Sequence, residues 1–201
     1  MGVPARPSGP ADPARDEAFR RELEGLIPHL RAFARTLAGD PTAADDLAQD
    51  AMMKAWDARA SFEMGTNMKA WTFMILRNQF YSEKRRSWRQ SQLDQEAAER
   101  TLVAIDDPAS PVALDELRLG LQMLPLEQRE ALILVGAGGF AYEEAAEICG
   151  CAVGTVKSRV SRARRALQAI LLSGGYRRDG AAAGEAMGTI LAHAERLSSQ
   201  R

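Results

Sequence analysis

Between positions 157 and 165 five basic side chains, Lys157, Arg159, Arg162, Arg164 and Arg165, follow one another without an acid, with Ser158 and Ser161 among them. Arg and Lys pair with guanine edges, while hydroxyls and a helix N-terminus hold phosphates. On one helix face such a set suits a DNA major groove. Val156, Val160, Ala163 and Leu167 recur at spacings of four, three and four, a stripe that buries one side. Ser158, Ser161, Arg162 and Arg165 then lie opposite it. A charge run on a helix is by itself more often a solvated face. The preceding segment sharpens the reading. Ala145, Ala146 and Ile148 give a small apolar face, Gly150 allows a tight exit, and Gly154-Thr155 starts a new helix. Residues 142–165 therefore read as a helix-turn-helix.

A second basic cluster, Arg77, Asn78, Tyr81, Lys84, Arg85, Arg86 and Arg89, follows Trp71, Phe73 and Phe80. Basic residues interleaved with aromatics track a backbone and stack unpaired bases. Trp71 and Phe73 are more often core than ligand contacts, so the hydrophilic members are the better candidates. A third set lies on residues 45–56, where Gln49, Met53 and Trp56 share a helical face with Asp46 and Asp50 beside it. A partly apolar surface edged with acids suits a protein partner. Met and Trp at helical spacing are equally ordinary core, and acids in a first turn are equally explained by the helix dipole.

The elements that position these residues are helical throughout. Few β-branched runs occur, and the expected fold class is all-α, as two small domains joined by a linker. Four prolines interrupt the first fifteen residues, where a disordered lead-in is expected, with folded structure from about Asp16. Asp40-Pro41 supplies an N-cap and a first-turn proline for a helix to about Ala58. Asn67 caps the next, from Met68 to about Trp88. Asp106, Asp107, Pro108 and Pro111 close a linker over residues 92–111. Helices are then expected over 112–123, 125–135, 142–148 and 154–172, with an Ala- and Gly-rich tail over 174–201 in which Met187, Ile190 and Leu191 form one weak amphipathic turn.

Composition excludes little. The 201 residues carry 26 Lys and Arg against 27 Asp and Glu, so whole-chain charge does not suggest nucleic acid and local charge has to make that case. The two cysteines, Cys149 and Cys151, are too close for an easy disulfide and lack the further Cys or His pair of a zinc site, which fits a reduced cytoplasmic protein. The longest uncharged apolar run, over 131–142, is about half of the roughly 20 residues a membrane span needs. No secretory leader, metal or cofactor is expected.

The three segments, in this order, resemble the extracytoplasmic-function sigma factors of the sigma-70 family, over about residues 16–172. The resemblance implies a sigma-2 domain over 16–91 and a sigma-4 domain over 112–173. It implies a chain without a catalytic site that carries core RNA polymerase to promoter DNA. Residues 45–56 look like the helix that docks on the β′ clamp helices, mapping polymerase contact to Asp46, Gln49 and Asp50, with Met53 and Trp56 on the same face. Residues 62–71 and the helix after them look like the segment that melts and reads the −10 element. That places Arg77, Asn78, Tyr81, Lys84, Arg85 and Arg86 at DNA. The helix-turn-helix looks like the reader of the −35 element, through Thr155, Lys157, Ser158, Arg159, Ser161, Arg162 and Arg165, on a domain that also meets the β flap.

Residues 65–71, 75–81 and 131–165 resemble the general-stress-response (EcfG-type) subfamily. This implies a small helical anti-sigma protein of the NepR kind, released by a phosphorylated regulator with a sigma-like domain (PhyR). Three rivals fit less well. A sigma mimic should carry a receiver domain, for which the chain has no room. A dimeric helix-turn-helix repressor leaves the Gln49 helix and the second basic cluster without a task. An enzyme lacks support, since His29 and His193 are isolated and no P-loop or nucleophile motif appears.

Overall fold

The computed structural model describes residues 13–93 and 112–173. Most of the expected lead-in, most of the linker and the tail with its weak turn lie outside the described residues, while residues 13–15, expected in the lead-in, are helical. Among the described residues the chain is helical and contains no strand.

Four helices precede the linker: α1 (Pro13–Gly25), α2 (Ile27–Ala38), α3 (Pro41–Asp57) and α4 (Met68–Leu93), with a 3-10 turn at Arg59–Ser61. Pro13 occupies a first-turn position, where its missing N–H costs nothing, so α1 starts three residues before Asp16. Arg15 Nη2 donates to the carbonyls of Phe62 at 2.7 Å and Arg59 at 3.1 Å, and Arg59 pairs with Asp16 at 3.1 Å, tying that end down. The Asp40 carboxylate caps α3 by accepting from Ala43 N–H at 2.7 Å. Asn67 Oδ1 likewise caps α4 by accepting from Ala70 N–H at 2.9 Å. The α4 helix runs past Trp88 to Leu93, a stretch in which Arg89, Gln90, Gln92 and Leu93 are good helix formers.

After the linker come α5 (Val112–Gln122), α6 (Leu126–Gly136), α7 (Tyr142–Cys149) and α8 (Val153–Leu172). Gly150 ends α7 at φ 61°, the left-handed conformation that a helix stop of this kind requires. The α6–α7 loop needs glycine for another reason: a Cβ on Gly138 would lie 2.6 Å from the Leu134 carbonyl. This tight path delivers Phe140, 2% exposed, to the first four helices.

The two halves share a core. Phe33 of α2 and Phe73 and Leu76 of α4 belong to one buried cluster with Leu132, Leu134, Phe140, Ile148 and Val156. Phe73 stacks on Phe33 at 4.8 Å and meets Phe140 edge-on at 5.0 Å. A second cluster, around Phe19, Leu23, Ala55, Phe62 and Met68, closes the far end of the first four helices.

Candidate nucleic-acid interface

The helix-turn-helix is built as its pattern demands. Val156, Val160, Ala163 and Leu167 are all buried, which fixes the rotation of α8 about its axis. Glu144 reaches back to accept from Ala141 N–H at 2.8 Å and so closes the N-terminus of α7. With the stripe inward, Lys157, Ser158, Ser161, Arg162 and Arg165 are exposed and Thr155 is half-buried. The Ser158 hydroxyl donates to the Thr155 carbonyl at 2.9 Å and accepts from Arg162 Nη2 at 3.2 Å, so the two share one outward patch. Lys157 sits over the Tyr142 ring at 5.6 Å. Arg159 is the exception. Its guanidinium is turned inward to Glu127 at 3.0 Å and to Cys151 Sγ at 3.7 Å, and only 17% of its side chain is exposed.

On α4 Phe73 is buried and Trp71 is packed into the second cluster, while Trp88 is exposed. Trp71 lies 4.9 Å from the Phe62 ring and 6.1 Å from Phe19. Asn78, Lys84, Arg85, Arg86 and Arg89 are exposed along the helix. Arg77 and Tyr81 are separated from that set by Glu130 of α6, which is fully buried. Arg77 Nε donates to Glu130 Oε1 at 2.5 Å, the Tyr81 hydroxyl donates to Oε2 at 3.1 Å, and the Arg77 guanidinium lies 4.5 Å over the Tyr81 ring. Burial pushes the Glu130 carboxyl above its ordinary range, against the pull of the Arg77 charge and the two hydrogen bonds. Burial also works against the Arg77 cation, yet the facing carboxylate outweighs it and raises its pKa. Burial, and then the Glu130 charge, raises the Tyr81 phenol.

Sequence reasoning missed Glu130. Its signal was present, since Glu130 falls four residues from both Leu126 and Leu134, on the face that α6 buries. Two contacts between the halves were missed as well: Lys69 Nζ donates to the Gly138 carbonyl at 2.7 Å and Asn67 Nδ2, beyond its expected capping role, donates to Glu144 Oε1 at 2.6 Å.

On α3, Asp46, Gln49, Asp50 and Met53 are exposed at helical spacing, Met53 by 58%. Trp56 departs from them. It is half-buried against Phe19 at 6.1 Å, with Arg59 over its ring at 4.6 Å, so it serves the second core. Asp45 is taken by Arg31 at 3.3 Å.

Comparison with known proteins places the chain in a family. Sigma-70 region 2 matches residues 23–90, and Sigma-70, region 4 matches residues 114–167. The chain is 46% identical over 155 residues to the ECF RNA polymerase sigma factor EcfG of Rhodopseudomonas palustris, covering 77% of this chain and 86% of that one. It is 34% identical over 131 residues to the ECF sigma factor SigC of Mycobacterium tuberculosis, covering 65% and 71%. Among solved structures, it resembles the sigma factor RpoE of Bartonella quintana, crystallised with the anti-sigma factor NepR. The TM-score is 0.72 and the identity 47%, over 79% of this chain and 99% of that one. The chain belongs to the extracytoplasmic-function RNA polymerase sigma factors of the sigma-70 family.

Proposed function

We propose that this chain directs core RNA polymerase to promoters of general stress-response genes and is held inactive by an anti-sigma protein of the NepR kind. Residues 16–91 are the unit that binds polymerase and the −10 element, 92–111 the linker, and 112–173 the unit that reads the −35 element and meets the β flap. The observation that carries this reading is the pairing of two exposed faces of unlike chemistry on one chain. Asp46, Gln49, Asp50 and Met53 on α3 suit a protein partner, the β′ clamp helices. Lys157, Ser158, Ser161, Arg162 and Arg165 on α8 suit a major groove. Asn78, Lys84, Arg85 and Arg86 add a basic edge for separated DNA strands. The high identity to EcfG and to the NepR-bound RpoE supports the stress-response assignment and the anti-sigma partner.

The chain acts in this reading as an initiation subunit without chemistry of its own, in the cytoplasm. Among the described residues no helix is long and apolar enough to cross a membrane, and no group of acids, Cys or His is arranged to hold a metal.

Transcription in vitro with added core polymerase tests the reading. RNA from a cognate promoter, abolished by a NepR-type protein, is the expected result. Failure to support any transcription while still binding the anti-sigma protein would instead identify a sigma mimic.

A further inference from the structure

A cleft of about 480 Å³ opens between the second half of α4 and the start of α6. Tyr81, Trp88, Pro125 and Leu126 give it an apolar lining, and Lys84 and Arg85 stand exposed on its α4 rim. Trp88 is 64% exposed, so much of a large ring that ordinarily goes to a core faces water here. Apolar surface rimmed by charge marks a docking site.

The chain carries a segment that fits this lining. Met187, Ile190, Leu191, Ala194 and Leu197 recur at spacings of three, one, three and three, the pattern of one helical face. The eleven residues 187–197 are too few to hold a helix alone in water, so such a face needs a surface to pack on. Glu185 precedes the set and Glu195 falls beside it, and both are opposite in charge to Lys84 and Arg85.

The connection has the right length. Arg159 of α8 donates to Glu127, which lines the cleft, at 3.0 Å. From Arg159 to Leu172, where α8 ends, the helix rises about 20 Å at about 1.5 Å per residue. Thirteen further residues, 174–186, four of them glycine, lead to Met187. A Gly-rich chain of that length has a root-mean-square reach of about 20 Å. Reach and span agree, the condition under which a tethered segment attains its highest effective concentration.

We propose that residues 187–197 dock by their apolar face in the cleft of Trp88 and Leu126 on the same chain and cover Lys84 and Arg85. Docked there, the segment competes with DNA for these two bases. The competition rests on their assignment to the −10 face; the docking itself does not.

The test uses the full chain. Acrylamide quenching of Trp88 is read as the difference between each protein and its Trp88→Phe counterpart, since Trp56 and Trp71 belong to the second cluster. Ile190→Ser with Leu191→Ser removes the apolar face without changing charge and lies beyond α8, outside the described residues. It should raise the quenching constant of Trp88 about twofold or more. It should also tighten binding of a fluorescein-labelled single-stranded oligothymidylate, a sequence-neutral probe for a basic and aromatic face, by about threefold. Ala181→Ser with Ala182→Ser, in the connection, should leave both readings at the parent values. A synthetic peptide of residues 185–198, added to the Ile190→Ser, Leu191→Ser chain, should restore the parent quenching.

Equal quenching of Trp88 in the parent and in Ile190→Ser, Leu191→Ser would overturn the docking. Shielding that grows with chain concentration would assign the cleft to a second copy and overturn it too, as would shielding seen only after a NepR-type protein is added. Relief of shielding without tighter oligothymidylate binding would support the docking and overturn the competition. Transcription by the parent holoenzyme, run in parallel, keeps these outcomes separate from failure of the sigma-factor assignment.

Discussion

Phe73 of α4 and Phe140 of the α6–α7 loop meet edge to face, with ring centroids 5.0 Å apart and 69° between their planes. Both are nearly fully buried, and each belongs to a different sigma region. The contact is a preferred aromatic geometry and continues inward as the stack of Phe73 on Phe33 at 4.8 Å.

The free chain is therefore expected to unfold in urea as one cooperative transition, because neither half buries its interface residues without the other. Phe140→Ala should cost about 3–5 kcal/mol, the usual range for deleting a buried ring. It should also split the transition into two, with the region-2 helices melting separately. Urea titrations followed by circular dichroism and by tryptophan fluorescence check this, since all three tryptophans, Trp56, Trp71 and Trp88, lie on α3 and α4. Two transitions in the parent chain would contradict it.

The α3 face makes a cleaner prediction, because Asp46, Gln49 and Asp50 are exposed and none is tied into either core. Asp46→Lys, Asp50→Lys or Gln49→Ala should weaken core polymerase binding while changing stability by no more than about 0.5 kcal/mol. Pull-down with core polymerase, beside thermal melts, provides the measurement. Trp56→Ala should differ in kind and lower the melting temperature, since its ring packs on Phe19 and carries Arg59.

The cysteines should separate by reactivity. Cys149 is 5% exposed, and burial, with the Glu130 charge adding to it, pushes its thiol up to about 12. The thiolate is the reactive form, so one equivalent of thiol reagent should be consumed in the folded protein, at the half-buried Cys151, and the second only on unfolding. Folding holds the Cys149 proton more tightly than the unfolded chain does. Its contribution to stability is thus complete below the ordinary pKa of 9.0 and declines as pH rises above it. A second fast equivalent at neutral pH would show that α7 is not packed as described.

The helices and their stops were legible because their causes are local. Asp40 and Asn67 cap the helices that follow them, Gly150 takes the left-handed turn, and the Val156 to Leu167 stripe is inward. What local pattern could not supply is which distant group a polar side chain meets. Arg77 and Tyr81 look alike in sequence to Lys84 and Arg85, and only the approach of α6 separates them. Arg159 sits among the other bases of α8, but its angular position turns it toward Glu127. Trp56 continues the spacing of Gln49 and Met53 yet falls where α1 crosses, and its ring is drawn into that contact. The early start of α1 was hidden by Pro13, whose meaning depends on whether a helix follows it.

That difference between two arginines three residues apart yields the sharpest check on the recognition helix. Arg162 lies opposite the buried stripe and, among the described residues, bonds only to Ser158 on its own face, so it enters a groove without cost to packing. If it pairs with a base, Arg162→Ala should cost about 1–3 kcal/mol of holoenzyme affinity for the preferred −35 sequence and relax preference at one position. Arg159 is held by Glu127, whose side chain is 63% exposed and is readily solvated when its partner goes. Arg159→Ala should therefore change stability by at most about 1 kcal/mol and leave base preference intact. Binding of both variant holoenzymes to a panel of −35 sequences, repeated at several salt concentrations, distinguishes base from phosphate contact. A phosphate contact weakens all sequences alike and lowers the salt slope by about one. Three residues along an α-helix turn the side chain by about 300°, so Arg159 and Arg162 point about 60° apart. Relaxed preference in Arg159→Ala with none in Arg162→Ala would mean that α8 enters DNA rotated by that angle, with the Glu127 pair broken on binding.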